Sequence, residues 1–360
     1  MKSKNEIMLK TTMFILMLLF GSYYAQATII TVSNNGGVPA QYTDAQTAIN
    51  NAIAGDTLFV HASGLDYGDI TINKQLTIIG EGYSGVSRTP FSHITFTANT
   101  ATGSSLVSLY IDGYIDESNG LQVNNITIEK CYLYRNGYTN NNNLREYFKI
   151  HSSGNNWVIR HCIVYETQLC TGYGVASGWV IANNWIDNVD INSTSHGTYS
   201  INALISATVE NNIFTNVDYC LINCTNTLVK NNIFVDVNGR VDLNSNVSNV
   251  QQNNLSNNSV AGTTNGNISN TSPLFVVNLA SASLADVATA DLQLQANSLA
   301  KGAGVGGTDM GIHGGALPMS TDLPYDGKAN KPNIEQLIIL NPVVGQGQFL
   351  KFEVEAKTID

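Results

Sequence analysis

Self-similarity constrains this chain more than any other feature. The fragments Val209-Glu-Asn-Asn-Ile213, Val229-Lys-Asn-Asn-Ile233 and Ile181-Ala-Asn-Asn-Trp185 share one pattern. Looser copies stand at Ile159-Arg-His-Cys-Ile163, Ile128-Glu-Lys-Cys-Tyr132 and Val250-Gln-Gln-Asn-Asn254. Aligned on the fourth residue, they make Cys131, Cys162, Asn184, Asn212, Asn232 and Asn253 equivalent, at separations of 31, 22, 28, 20 and 21 residues. Periods of this size indicate a solenoid, whose repeats bury their apolar sides against their neighbours. Inside each copy apolar and polar residues alternate, the period of a strand and not of a helix. A short fixed strand with variable coil length excludes a leucine-rich repeat and predicts an all-β chain, a parallel β-helix with three short strands per coil. Equivalent residues then stack about 4.7–4.9 Å apart. The asparagines form an inward ladder, each amide bonding the next and satisfying buried turn groups.

A second strand recurs between the ladder copies, at Phe148-Lys-Ile-His151, Ser200-Ile-Asn-Ala203, Cys220-Leu-Ile-Asn223 and Val241-Asp-Leu243. Earlier coils are expected at Gln75–Ile79, His93–Phe96 and Ser105–Leu109, and coils extend to about residue 276. An open coil end exposes unpaired backbone and needs a cap. Asp44 to Ile53 carries apolar residues at helical spacing and stops at Gly55, which predicts a short capping helix.

The chain has 17 basic and 27 acidic residues in 360, a net charge of −10, which argues against a nucleic-acid partner. Lys2, Lys4 and Lys10 precede the apolar run Met13–Phe20, and Ala25-Gln-Ala27 has A-x-A spacing, the pattern of a cleaved signal peptide over residues 1–27. The run is too short to span a bilayer, and the mature chain has no transmembrane segment. No Cys lies near the cleavage site, so the expected product is secreted or cell-surface and not a lipoprotein. Of five cysteines, Cys131, Cys162, Cys170, Cys220 and Cys224, at least one must stay unpaired, and most read as small buried hydrophobes.

Thr43 to Gly82, with Ala54-Gly-Asp-Thr-Leu-Phe-Val60 and Gln75-Leu-Thr-Ile-Ile-Gly-Glu-Gly82, resembles the start of secreted bacterial right-handed β-helix proteins of the pectin-lyase-like superfamily. Ser272-Pro-Leu-Phe275, Leu292-Gln-Leu-Gln-Ala296 with Gly302, and Asp309-Met-Gly-Ile-His-Gly-Gly315 resemble their choice-of-anchor-type closing module, with Leu299 standing where that module usually has Pro. The resemblance implies a right-handed helix over residues 28–318 with its cap and closing module. Residues 319–360 then form a linker and a small β appendage. This superfold hosts lyases, hydrolases, adhesins and surface proteins, so the resemblance is specific for fold and weak for activity; polysaccharide is the expected partner.

Lyases of this kind use clustered carboxylates for Ca²⁺ and a cationic base near the sugar's acidic proton. Counting six residues on from the ladder gives Asp190 and Asp218, with Glu166 and Asp236 at the fourth position. Asp190, Asp218 and Glu166 are therefore the candidate metal ligands, and Ca²⁺ the candidate cofactor. Arg145, Lys149 and His151 cluster in a chain with few basic residues and are the candidate catalytic base set. Tyr138, Tyr147 and Tyr173, from a tyrosine-rich stretch, and Asn202, Arg240 and Asp242, read as outward positions of the second strand, are the candidate substrate-binding residues. No GxSxG, P-loop, HExxH or Rossmann fingerprint occurs. Two readings follow: an exported protein that binds polysaccharide or serves as a surface module, or a pectate-lyase-like lyase or glycoside hydrolase.

Overall fold

The computed structural model describes residues 27–85, 88–118, 120–134, 150–167, 169, 176–187, 199–237, 239–242, 248–277, 282–328, 332–339 and 352–358. Nearly every strand pairs in parallel with the equivalent strand one coil away. A ten-stranded sheet runs from Ile29–Val32 to Val250–Gln252, and an eight-stranded sheet from Pro90–Phe91 to Leu255–Ser256. The third side is a four-stranded sheet (Ile70–Ile72, Ile94–Phe96, Ile115–Glu117, Ile150–His151), continued by a three-stranded one (Tyr199–Asn202, Tyr219–Ile222, Arg240–Asp242). Three sheets wound around one axis make a right-handed parallel β-helix, the hand that parallel crossovers take. Ile70, Ile94, Ile115 and Ile150 stack inward from the four-stranded sheet, all buried. Trp157 and Trp179 stack in the core with ring centroids 5.1 Å apart.

The Asn-Asn pair divides two tasks. Its first residue turns the chain from the ten-stranded to the eight-stranded sheet in the left-handed region, with φ of 54°, 55°, 59° and 49° at Asn183, Asn211, Asn231 and Asn253. Asparagine is the non-glycine residue that best tolerates this region. The second residue is the ladder. Asn212 Nδ2 donates to Asn232 Oδ1 at 3.0 Å and to Ile181 O at 2.9 Å, and Asn212 Oδ1 accepts from both the backbone and the amide of Asn184. The ladder continues through Asn254 to Asn267. At its other end Cys162 N–H donates to Asn184 Oδ1. The ladder residue of the last full coil is thus Asn254, and Asn253 is the turn residue. Leu228 pairs with Val250, so Gln251 occupies the inward position that Val229 and Val209 hold in earlier coils. The apolar Val250 marks the wrong register because this coil closes the core with a glutamine.

The predicted cap forms as Ala45–Asn51, with Asp44 accepting from Thr47 N–H at 2.7 Å and Ala45, Ala48 and Ile49 buried. Coils end earlier than residue 276: Leu255 bridges to Ile268, while Phe275–Val277 pairs antiparallel with Asp291–Leu294. From there the chain folds back as a strap along the outer face of the eight-stranded sheet. Outward Tyr110, Tyr132, Ile163, Trp185, Ile213 and Ile233 pack against Leu292, Met310, Ile312 and Met319, and the packing continues to Tyr325. The row of turn residues holds the strap, one per coil. Asn253 donates to Ala303 O, Asn231 accepts from Val305 N–H, Asn211 donates to Asp309 O, and Asn183 donates to Ile312 O and Gly314 O. His161 reaches Leu317 O at 2.9 Å in the same row. Pro332–Ile339 and Phe352–Thr358 form a separate antiparallel hairpin.

Candidate functional site

The outer face of the four-stranded sheet gathers polar chemistry in the first three coils. Thr71, Thr95, Asp116 and His151 share one register row, because Thr71 pairs with Thr95, Thr95 with Asp116, and Asp116 with His151. One residue before each inward isoleucine lies a second row, Asp69, His93 and Tyr114. His93 Nδ1 sits 2.7 Å from Asp69 Oδ1, and its ring meets Tyr114 edge-on with centroids 4.1 Å apart. This fixes the tautomer: Nδ1–H donates to the carboxylate, and the Nε2 lone pair is left for another partner. Gly113 makes the stack possible, since a Cβ there would lie 2.1 Å from Ser92 O and 2.8 Å from the His93 ring. Asp116 Oδ1 is shut off from solvent and has no hydrogen-bond partner among the described residues.

Beside these rows the chain turns in from the eight-stranded sheet and leaves a cavity of about 620 Å³, lined by Asn35, Ser63, Asp66, Arg88 and Asp112 among others. Its walls are tied coil to coil through Tyr67 N–H to Pro90 O and Asp112 N–H to Phe91 O. Asn34 fastens the end wall by donating to Leu65 O and Asp66 O. Both Asp66 oxygens accept, from Gly68 N–H at 2.7 Å and Ser92 Oγ at 2.6 Å. The Arg88 guanidinium lies 3.6 Å over the Tyr110 ring, and its buried Nε–H has no acceptor among the described residues. Burial pushes the Tyr110 hydroxyl up to about 12, against the opposing pull of Arg88, so the ring stays neutral beneath the cation.

The residues expected from sequence fall unevenly on this frame. Arg145, Lys149, Tyr138, Tyr147, Tyr173 and Asp190 lie outside the described residues. His151 ends the Asp116 row by register. Glu166 is a left-handed turn residue with φ 51°, donating its N–H to Asp187 O, as Asn216 and Asp236 are at φ 55° and 54° two coils and three coils on. Asp218 accepts from Gly239 N–H through its backbone. Among the described residues no three His, Cys, Asp or Glu side chains come together at metal-binding range. Asn202 Oδ1 accepts from Asn223. Asn202 pairs with Ile222, whereas Asp242 falls opposite Leu221 and Arg240 opposite Tyr219, so Asn202 lies one register row away from Asp242. Of the tyrosine-rich stretch, Tyr132 and Trp179 are buried, and Tyr134 and Tyr165 pack against the strap cluster.

Sequence reasoning missed Asp69, His93, Asp116, Arg88 and Asp66. They lie in coils whose turns between the two long sheets carry no Asn-Asn pair, so nothing local reveals that residues 24 and 21 apart in sequence share a row. Charge offered a weak signal, the acidic residues of Asp66 to Asp69 followed by His93 and Asp112-Gly-Tyr114.

No protein-family model matches this chain, and no curated protein sequence does. Among solved structures it is similar to the pectate lyase Pel9A, at 13% identity and a TM-score of 0.47, over 84% of this chain and 98% of that one. Among the described residues no helix is long and apolar enough to cross a membrane.

Proposed function

We propose that the protein is exported and binds polysaccharide along the outer face of the four-stranded sheet, with a glycan segment seated beside Arg88. The observation that carries this reading is the cavity of about 620 Å³, lined by the fixed Asp66 carboxylate and the Arg88 guanidinium together. Concave sites with a few convergent polar groups are the common form of small-ligand sites. A solenoid face suits an extended polymer, because each coil repeats the same spacing. In this reading the row of Thr71, Thr95 and Asp116 continues the binding face beyond the cavity.

A second reading, turnover of the glycan by a lyase or hydrolase, is favoured by His93. A carboxylate-held imidazole with an available Nε2 is the arrangement a general base needs. One experiment separates the two. The full chain is presented with a glycan panel, with and without Ca²⁺, while binding, ultraviolet absorbance and released reducing ends are read together. Binding with both chemical channels silent supports the first reading. Unsaturated product or new reducing ends, abolished in His93→Ala, would establish the second. No binding and no product with a folded protein would refute both.

A further inference from the structure

We infer that the glycan held in the cavity is uncharged, a segment of a neutral polysaccharide and not a polyuronate. This rests on the glycan reading above and names its ligand class. The cavity volume of about 620 Å³ accommodates a ligand of ordinary small-molecule size, which for a glycan means about two or three sugar units.

The polar groups decide the chemistry. Asp66 and Asp112 line the cavity against one cation, Arg88. Asp69 and Asp116 stand on the adjoining outer face, and the Nδ1 of His93 is already committed to Asp69. A polyuronate carries a carboxylate on every unit. One of them meets Arg88, but its neighbours fall against a face richer in carboxylates than in cations among the described residues, and like charges at such range disfavour binding. The guanidinium is also partly satisfied by the Tyr110 ring beneath it.

A neutral sugar matches both kinds of group at once. Each hydroxyl gives one hydrogen and accepts others. Arg88 lines the cavity with a guanidinium that carries several N–H donors, and Asp66, locked by Gly68 and Ser92, supplies fixed acceptor oxygens. Adjacent hydroxyls on one ring can therefore answer Arg88 and Asp66 together. A carboxylate, which only accepts, answers Arg88 and leaves Asp66 opposed.

Calorimetric titration of the full chain with neutral oligosaccharides (gluco-, manno-, galacto- and xylo-series) and size-matched oligouronates tests this, with Arg88→Ala and Asp66→Asn alongside and thermal melts as the folding control. The expected result is binding within the neutral series, oligouronates at least tenfold weaker, and each variant at least tenfold weaker with its melt unchanged. If Asp66→Asn loosens the turn, Arg88→Ala decides alone. Oligouronates bound more tightly than any neutral series, with the loss in Arg88→Ala, overturn the ligand class and leave the glycan reading standing. Neutral binding untouched by Arg88→Ala overturns the cavity as its seat. No binding to any glycan overturns the inference and the proposed function together.

Discussion

Replacing Asn212 with Leu tests whether the asparagine ladder holds the coils together. The substitution keeps roughly the same volume but removes every polar atom of a side chain that is 0% exposed. Four groups lose a partner. Asn184 N–H loses its acceptor at 3.0 Å, Ile181 O loses a donor at 2.9 Å, the Asn184 side-chain amide loses one of its two acceptors, and Asn232 Oδ1 loses one of its two donors. A buried group stripped of its partner costs about 1–3 kcal/mol. One full loss and three partial losses give about 2–4 kcal/mol, offset slightly by the added apolar contact of Leu. That is a large share of a typical folding free energy of about 5–15 kcal/mol. Asn267→Leu is the comparison, because it ends the ladder and leaves no further ladder amide short of a donor, so its cost should be smaller by about 1 kcal/mol. A solenoid need not unfold in one step, so urea melts should be paired with hydrogen exchange at the Asn184 amide. The account expects that amide to exchange at least a hundredfold faster in Asn212→Leu. A cost below about 1 kcal/mol with unchanged exchange would refute the ladder as a stabilising element.

Other expectations follow from the strap and the ion pairs. Asn183→Ala removes the bonds to Ile312 O and Gly314 O and forces Ala to φ 54°, for about 2–3 kcal/mol, and limited proteolysis should then cut within residues 303–328; Asn183→Gly should recover the backbone part only. His313 is held neutral, its Nδ1–H donating to Met319 O and its Nε2 accepting from Tyr325 Oη at 2.8 Å, and burial pushes it below its ordinary 6.5. A lowered histidine contributes stability above pH 6.5 and loses it as pH falls, so the strap should loosen on acidification from pH 6.5, and His313→Gln should flatten the melting temperature in that window. Burial would raise Glu129, but His161 at 3.5 Å and the hydrogen bond and charge of Arg160 win and hold it at about 2. Its contribution is therefore present above pH 4.5 and lost between 4.5 and 2. Because Arg160 is about a third exposed, Glu129→Gln should cost only about 1 kcal/mol at pH 7, measured by urea melts.

Most of the solenoid was legible because its ladder is written in local sequence. An Asn-Asn pair inside an alternating strand recurs where a left-handed turn and an inward amide are both needed, and four copies fix the coil length between residues 181 and 254. The same pattern misplaced the last copy by one residue, since an apolar Val250 outranks Gln251 by eye while strand pairing decides by register. The strap was not legible. The asparagine row holds it through backbone groups of residues 303–317, which leave no mark on residue type, and its apolar residues Leu292, Met310, Ile312 and Met319 do not by themselves say which sheet they cover. The site shows the same limit. His151 stood out as a rare basic residue, whereas Asp116 acquires meaning only when pairing sets the two side by side. His93 and Asp69 stand in the same relation, joined by register and not by any spacing rule.

Hydrogen exchange of the full chain, with and without a glycan that binds, tests the central claim most directly. The account predicts slowed exchange in peptides covering residues 61–71, 88–97 and 110–118, with no change along the strap between residues 303 and 328. Protection confined to residues 208–242, or bound glycan with no protection in the first three coils, would contradict it.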